Sequence, residues 1–133
     1  MAAQDHPPWE ADTVMKFSMD YGQAVELAKA GKMMQPDHYG LGWALVSTKD
    51  GALWDRNPHT GTLLQHQEDV RCMKAAWRQI WIHEYAGFNY QISSNGDGNW
   101  EVEPLEQQHA DASKHKHIQA ARETFVEEGK WKQ

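Results

Sequence analysis

Tyr21, Ala24, Val25 and Ala28 recur at three- and four-residue spacing, with Glu26 and Lys29 on the opposite side, and this stripe predicts a short amphipathic helix. Asp20 can accept a hydrogen bond from amides of the first turn, Gln23 three residues on completes a capping-box pattern, and Gly31 suits the left-handed residue that ends a helix. Lys32 to Gln35 then leaves extended, and Pro36 breaks the regular run. A helix with so narrow an apolar stripe must lie on a sheet.

The sheet is predicted from hairpins. After the loop Pro36 to Gly42, the run Trp43-Ala44-Leu45-Val46-Ser47 reads as a strand, Lys49-Asp50-Gly51 as a tight turn, and Ala52-Leu53-Trp54 as the returning partner. Arg56 to Gly61 is loop by composition, and Thr62 to Gln65 is a short strand. From Glu68 to Ile82, Val70, Met73, Trp77, Ile80, Trp81 and Glu84 fall at helical spacing, so a helix is the better fit, although Ile80-Trp81-Ile82 would serve equally well in a strand. Phe88 to Ile92 and Trp100 to Glu103 alternate on either side of the turn residues Ser94 to Asn99, a second hairpin that Pro104 closes. A last helix, capped by Asp111 or Ser113, runs to about Glu128 before Gly129; its apolar stripe is Ile118, Ala121, Phe125 and Val126.

These elements define one α+β domain over residues 1–133: a small antiparallel sheet built from hairpins, an N-terminal helix packed on it and a C-terminal helix at its edge. Residues 1–13 form an arm without periodicity, 14–104 the core, and 105–133 a polar helical tail. One domain is what 133 residues with 40% hydrophobic content accommodate.

Charge and cysteine usage narrow the function classes. A net charge of -6 opposes binding to the phosphates of long nucleic acid, which needs a basic face. The single Cys72 permits no intrachain disulfide and no Cys-rich zinc motif, which fits a reducing cytoplasm. No apolar stretch approaches the roughly 20 residues that span a bilayer, and Met1 to Glu10 lacks the halves of a signal peptide, so no membrane partner is expected.

Eight His raise a metal site, with His115-Lys116-His117 and His109 as the densest cluster. Residues two apart on a helix point to different faces, and no His-Glu-x-x-His pattern exists, so neither a metal nor another cofactor is expected. The acids and bases His59, His66, Glu68, Asp69, His83 and Glu84 are scattered, and Cys72 sits in an apolar stripe as a small buried hydrophobe would. With no Gly-x-Ser-x-Gly elbow and no phosphate-binding loop, no catalytic residue is assigned. Seven Trp are the unusual feature. Trp43 and Trp54 flank the first hairpin, Arg56 follows Trp54 and Asn99 precedes Trp100, so a planar ring could stack there while Arg or loop amides hold its phosphates, with Arg56 or Arg71 able to come from another subunit; packing in the core is the competing use.

The segment Asp20-Tyr21-Gly22-Gln23-Ala24-Val25-Glu26-Leu27-Ala28-Lys29-Ala30-Gly31-Lys32-Met33 resembles the opening of a family of small phage proteins, the second group of Thoeris anti-defence proteins. Gly42-Trp43 and Asn99-Trp100-Glu101-Val102 are similar to two later points of that family. The resemblance covers the first third of the chain and one short strand; the loop Gln35 to Gly40 lacks the family's Trp, Asn57 to Tyr85 has no counterpart, and Asp111 to Gln133 is an added tail. It implies a phage sponge in the host cytoplasm that sequesters a cyclic nucleotide or cyclic ADP-ribose-type immune signal without cleaving it. The ligand residues would then come from Trp43, Trp54, Arg56, Arg71, Asn99 and Trp100. The alternatives are an inhibitor or adaptor that covers a host defence enzyme with a Trp-rich acidic surface, and an enzyme that degrades the signal. Because so small a domain hides seven Trp poorly, and Trp9 and Trp131 lie outside its expected core, a homo-oligomer is expected, a dimer at least, with pockets where subunits meet.

Overall fold

A computed structural model describes residues 17–94, 99–105 and 112–132, with side chains of the last segment from His117 onward. The arm 1–13, the tip of the second hairpin at 95–98, the cap Asp111 and the cluster residues His109 and His115 lie outside the described residues or side chains.

Helix α1 (Tyr21–Lys29) starts where its sequence requires: the Asp20 carboxylate accepts from the Gln23 amide at 2.8 Å, and the Gln23 side chain accepts from the Asp20 amide at 2.9 Å. Ala24 and Ala28 are fully buried against Met34, Leu45 and Trp77. Small side chains there let the helix backbone lie close to the sheet. Strand β1 (Met33–Pro36) follows, then β2 (Ala44–Ser47), β3 (Leu53–Arg56), β4 (Leu63–Gln65), the short helix α2 (Val70–Lys74), β5 (Trp77–Tyr85), β6 (Phe88–Ser94), β7 (Trp100–Pro104), helix α3 (Ala112–Glu127) and a 3₁₀ turn (Lys130–Lys132). The α+β class read from the sequence is the one observed.

All seven strands form one antiparallel sheet in the order β4-β3-β2-β1-β5-β6-β7. The chain winds outward from β1 to the edge strand β4, returns through α2, and winds outward again from β5 to β7. Met34 pairs with Leu45, Leu45 with Asp55 and Asp55 with Leu64, which sets these four on one face; Met34 opposite Gln79 carries the same face to Trp77, Trp81 and His83. All three helices cover that face. Helix α1 and α2 pack on Met34, Leu45 and Trp77, while Ala121 and Phe125 of α3 pack on Tyr90, Ile92 and Val102.

The helix expected over Glu68 to Ile82 is corrected to five residues of helix followed by a nine-residue strand. Trp77, Ile80 and His83 are buried at a three-residue spacing although they lie in a strand. The reason is that β5 is covered on both faces, so burial does not alternate, and the surviving spacing imitates a helix. Ala75 and Ala76 would extend α2 by propensity, but Trp77 instead exchanges backbone hydrogen bonds with Met19 at 2.8 and 3.0 Å, and the Ala76 carbonyl accepts from Asp37 at 3.0 Å. Arg56, read as loop, is the last residue of β3.

The face away from the helices is closed by a polar clamp. Gln35 donates to Gln91 at 2.8 Å and to the carbonyl of Trp43 at 3.1 Å, and the Gly42 amide donates to the same Gln91 oxygen at 2.6 Å. The Arg78 guanidinium donates to Gln35 at 2.9 Å and to Ser93 at 3.2 Å beneath the Phe17 ring. Burial holds the Arg78 guanidinium below its usual range, opposed by Glu103 and Glu101. The clamp pins the loop between β1 and β2 through Gly42, whose φ is +83° and where an added Cβ would come within 2.7 Å of both Leu105 and Pro58. Gly42→Ala therefore costs roughly 2–4 kcal/mol in equilibrium urea unfolding, from overpacking and a disfavoured φ together. Gly51→Ala, at φ +86° with open space around it, costs only about 1 kcal/mol. Equal losses at the two positions would show that the close approach over Gly42 carries no energy.

Candidate functional site

The loop held by the clamp brings His38, Tyr39, Gly40 and Trp43 over the cavity edge of the sheet. They meet Asp55 of β3, Leu64 of β4, Gln67, and Asp69 and Cys72 at α2 around a cavity of about 360 Å³. From its lining residues Tyr39 and Asp55 a hydrogen-bonded chain runs to residues beyond the lining. Tyr39 donates to Asp55 at 2.6 Å; the Asp55 carboxylate accepts from Nδ1 of His66 at 3.1 and 3.3 Å; Nε2 of His66 lies 3.0 Å from the Tyr21 hydroxyl, which donates to Glu68 at 3.0 Å. Carboxylates only accept, so Nδ1 of His66 is the donor in its contact with Asp55, and the Tyr21 hydroxyl gives its single proton to Glu68. The His66 side chain is only 2% exposed. Burial and the Asp55 carboxylate push the Tyr39 phenol well above its usual range, and burial with Glu68 does the same to Tyr21. Both phenols act as donors at neutral pH.

Cys72, His38 and Asp37 have the order of a nucleophile, a base and an orienting acid, with the thiol 3.9 Å from Nε2 of His38 and Nδ1 of His38 3.6 Å from Asp37. The electrostatics run against that chemistry. Burial pushes the Cys72 thiol up to about 11, and the carboxylates of Asp69 and Asp55 add to the shift. Asp69 itself is held below the usual carboxylate range by the Cys72 backbone amide, which it caps at 2.9 Å. An activated thiolate needs positive neighbours, and this one has negative ones. Among the described residues no Lys or Arg lines the cavity. Among the described residues no group of three His, Cys, Asp or Glu is placed to hold a metal.

The residues singled out in the sequence separate. Trp43 lines the cavity. Trp54 and Arg56 share the opposite face of β3 from Asp55; Trp54 donates to Thr48 at 3.4 Å, and Nη1 of Arg56 is buried without a hydrogen-bond partner among the described residues. Trp100 stands four strands beyond β2 in the sheet order, packed edge-on against Trp81 and Phe125 at 5.5 and 5.2 Å, a core role. Arg71 on α2 and Asn99 before β7 are exposed. Within one chain these six residues do not converge. Of the scattered acids and bases, Asp69 lines the cavity, and His66 and Glu68 connect to its lining residue Asp55 through hydrogen bonds, whereas His83 lies under α3 and His59 is exposed. Tyr21, Tyr39 and Asp55 carried no local signal of a site, except that Asp55 is a charged residue at a position whose neighbours in parity, Leu53 and Leu45, face the core.

In comparisons with family models, with curated proteins and with solved structures, nothing matches this chain. None of the described helices is long and apolar enough to cross a membrane.

The thiol gives a direct check on the site's electrostatics. Alkylation of Cys72 by iodoacetamide at about pH 8 runs on the order of a hundredfold slower than that of a free cysteine, because a thiol pushed up to about 11 leaves that much less thiolate. A rate equal to the free thiol's would contradict the acidic, buried setting.

Proposed function

We propose that the chain is a non-enzymatic binding protein that sequesters a small nucleotide-type signal, of the cyclic nucleotide or cyclic ADP-ribose class, in the cavity beside Trp43. The observation that carries this reading is the cavity's make-up: aromatic walls from Tyr39, Trp43 and His38, acceptor carboxylates from Asp55 and Asp69, and a thiol too basic to attack. Trp43 suits stacking on a flat base, and the carboxylates suit ring N–H donors. A base bound there would turn its phosphates outward, since among the described residues no cation lines the cavity. The resemblance of the Asp20 to Met33 segment and of Gly42-Trp43 to the phage sponges supports the same class.

The homo-oligomer belongs to this reading. Leu63, Leu64, Val70 and Met73 are 40 to 62% exposed on β4 and α2, the two elements that border the cavity. A second copy seated there would place its exposed Arg71 at the interface, where a cation for outward phosphates is needed. The same exposed side chains, with a net charge of -6, favour the second reading, an inhibitor or adaptor that covers a host enzyme.

Differential scanning against a panel of cyclic nucleotides and cyclic ADP-ribose isomers tests the first reading. A tight ligand at a hundred times its Kd raises the Tm by roughly 8 °C. Trp43→Ala abolishes the shift, Trp100→Ala lowers stability without abolishing it, and ligand recovered from heat-denatured protein is chemically intact. No shift with any member of the panel overturns the reading, and a stoichiometric host protein recovered by pull-down would then support the second. Light scattering should give at least twice the monomer's 15.3 kDa; a monomer mass at micromolar concentration removes the shared site.

A further inference from the structure

His83 lies on β5 with 2% exposure, under the C-terminal segment. Its two ring nitrogens have fixed and opposite tasks. Thr124 donates its hydroxyl proton to the Ala121 carbonyl at 3.1 Å, so its oxygen is left to accept from Nε2–H of His83 at 2.8 Å. On the other side, Nζ of Lys130 is 3.2 Å from Nδ1. An ammonium can only donate, so Nδ1 must carry no proton. Only the neutral Nε2–H form of the ring satisfies every partner.

The groups around the ring reinforce this assignment. From the C-terminal segment the charged groups are Lys130 and Glu128, themselves paired at 3.3 Å, and the Phe125 ring stands 5.9 Å away. From the sheet, Tyr90 of β6 is the cross-strand partner and Tyr85 lies two residues along β5 on the same face. Burial and then Lys130 hold the His83 imidazole below its usual range, with Glu128 opposing. Lys130 begins the 3₁₀ turn whose Trp131 rests 6.4 Å from the Trp100 ring.

We propose that His83 is a proton-operated latch on the C-terminal segment: a proton on Nδ1 faces the Lys130 ammonium, breaks that contact, and releases the Lys130–Lys132 turn and Trp131 from the aromatic cluster at Trp100. A histidine held neutral in the docked state favours docking fully above its ordinary value near pH 6.5, and that contribution is lost as pH falls below it. Release uncovers the side of Trp100 on which Trp131 rests, an aromatic surface available only to the acid form. The inference is independent of any ligand in the cavity.

Amide hydrogen exchange of the full chain, corrected for intrinsic rates, tests it. Between about pH 7.5 and pH 5 the peptide over 128–132 should lose at least about tenfold in protection while β5 and β6 keep theirs. His83→Gln, whose amide can donate to Thr124 and accept from Lys130 without titrating, should hold its protection at both pH values. If that variant fails to fold, Lys130→Met serves instead, and the pH effect should shrink at least threefold. Unchanged protection in the native protein, an equal pH effect in the variant, or loss of protection throughout the sheet at pH 5 would each overturn the latch.

Discussion

The side-chain carbonyl of Gln91 holds the loop on which the site is built. It accepts from Gln35 at 2.8 Å and from the Gly42 amide at 2.6 Å, and so joins β6, β1 and the loop between β1 and β2 at one atom. With Gly42 packed against Pro58 and Leu105, Tyr39 three residues before it and Trp43 directly after it line the cavity. Buried amides are costly unless every donor and acceptor is matched, and here they are: the Gln35 nitrogen gives to carbonyls and its oxygen receives from Arg78. A polar clamp of this kind specifies one loop position where an apolar contact would allow several.

The same donor counting separates the two buried histidines. His66 gives its Nδ1 proton to the Asp55 carboxylate, whereas His83 faces an ammonium at Nδ1 and donates from Nε2. One residue type thus ties down a carboxylate beside the cavity and props the helix α3. Neighbouring charges, not the residue itself, set these roles.

The cavity's charge shapes the functional reading as strongly as its aromatic walls. Asp55 and Asp69 oppose both a thiolate at Cys72 and a phosphate in the cavity. Under the proposed function, a nucleotide-type ligand would enter base first, with any cation for its phosphates coming from beyond the lining. Arg56 does not supply it within one chain, since it lies with Trp54 on the far face of β3.

The first helix, its capping box, its Gly31 exit, both hairpins and the C-terminal helix were legible in the sequence because each is set by contacts within a few residues: Asp20 with Gln23, Thr48 with Asp50 and Gly51, Gly129 after Glu127. Trp43, singled out as a flat ring beside a turn, does line the cavity. The strand at Trp77–Tyr85 was not legible, because its burial is set by partners on both faces that lie far off in sequence. Nor was the His66 chain, whose members Tyr21, Tyr39, Asp55 and Glu68 come from four separate elements. Trp100 looked the same as Trp43 in sequence, and only the packing of Phe125 and Trp81 around it made it core. Local hydrogen bonds and spacing determine where elements begin and end, whereas which side chains share a face and a charge environment is decided by sheet order and register, and those are properties of the folded chain alone.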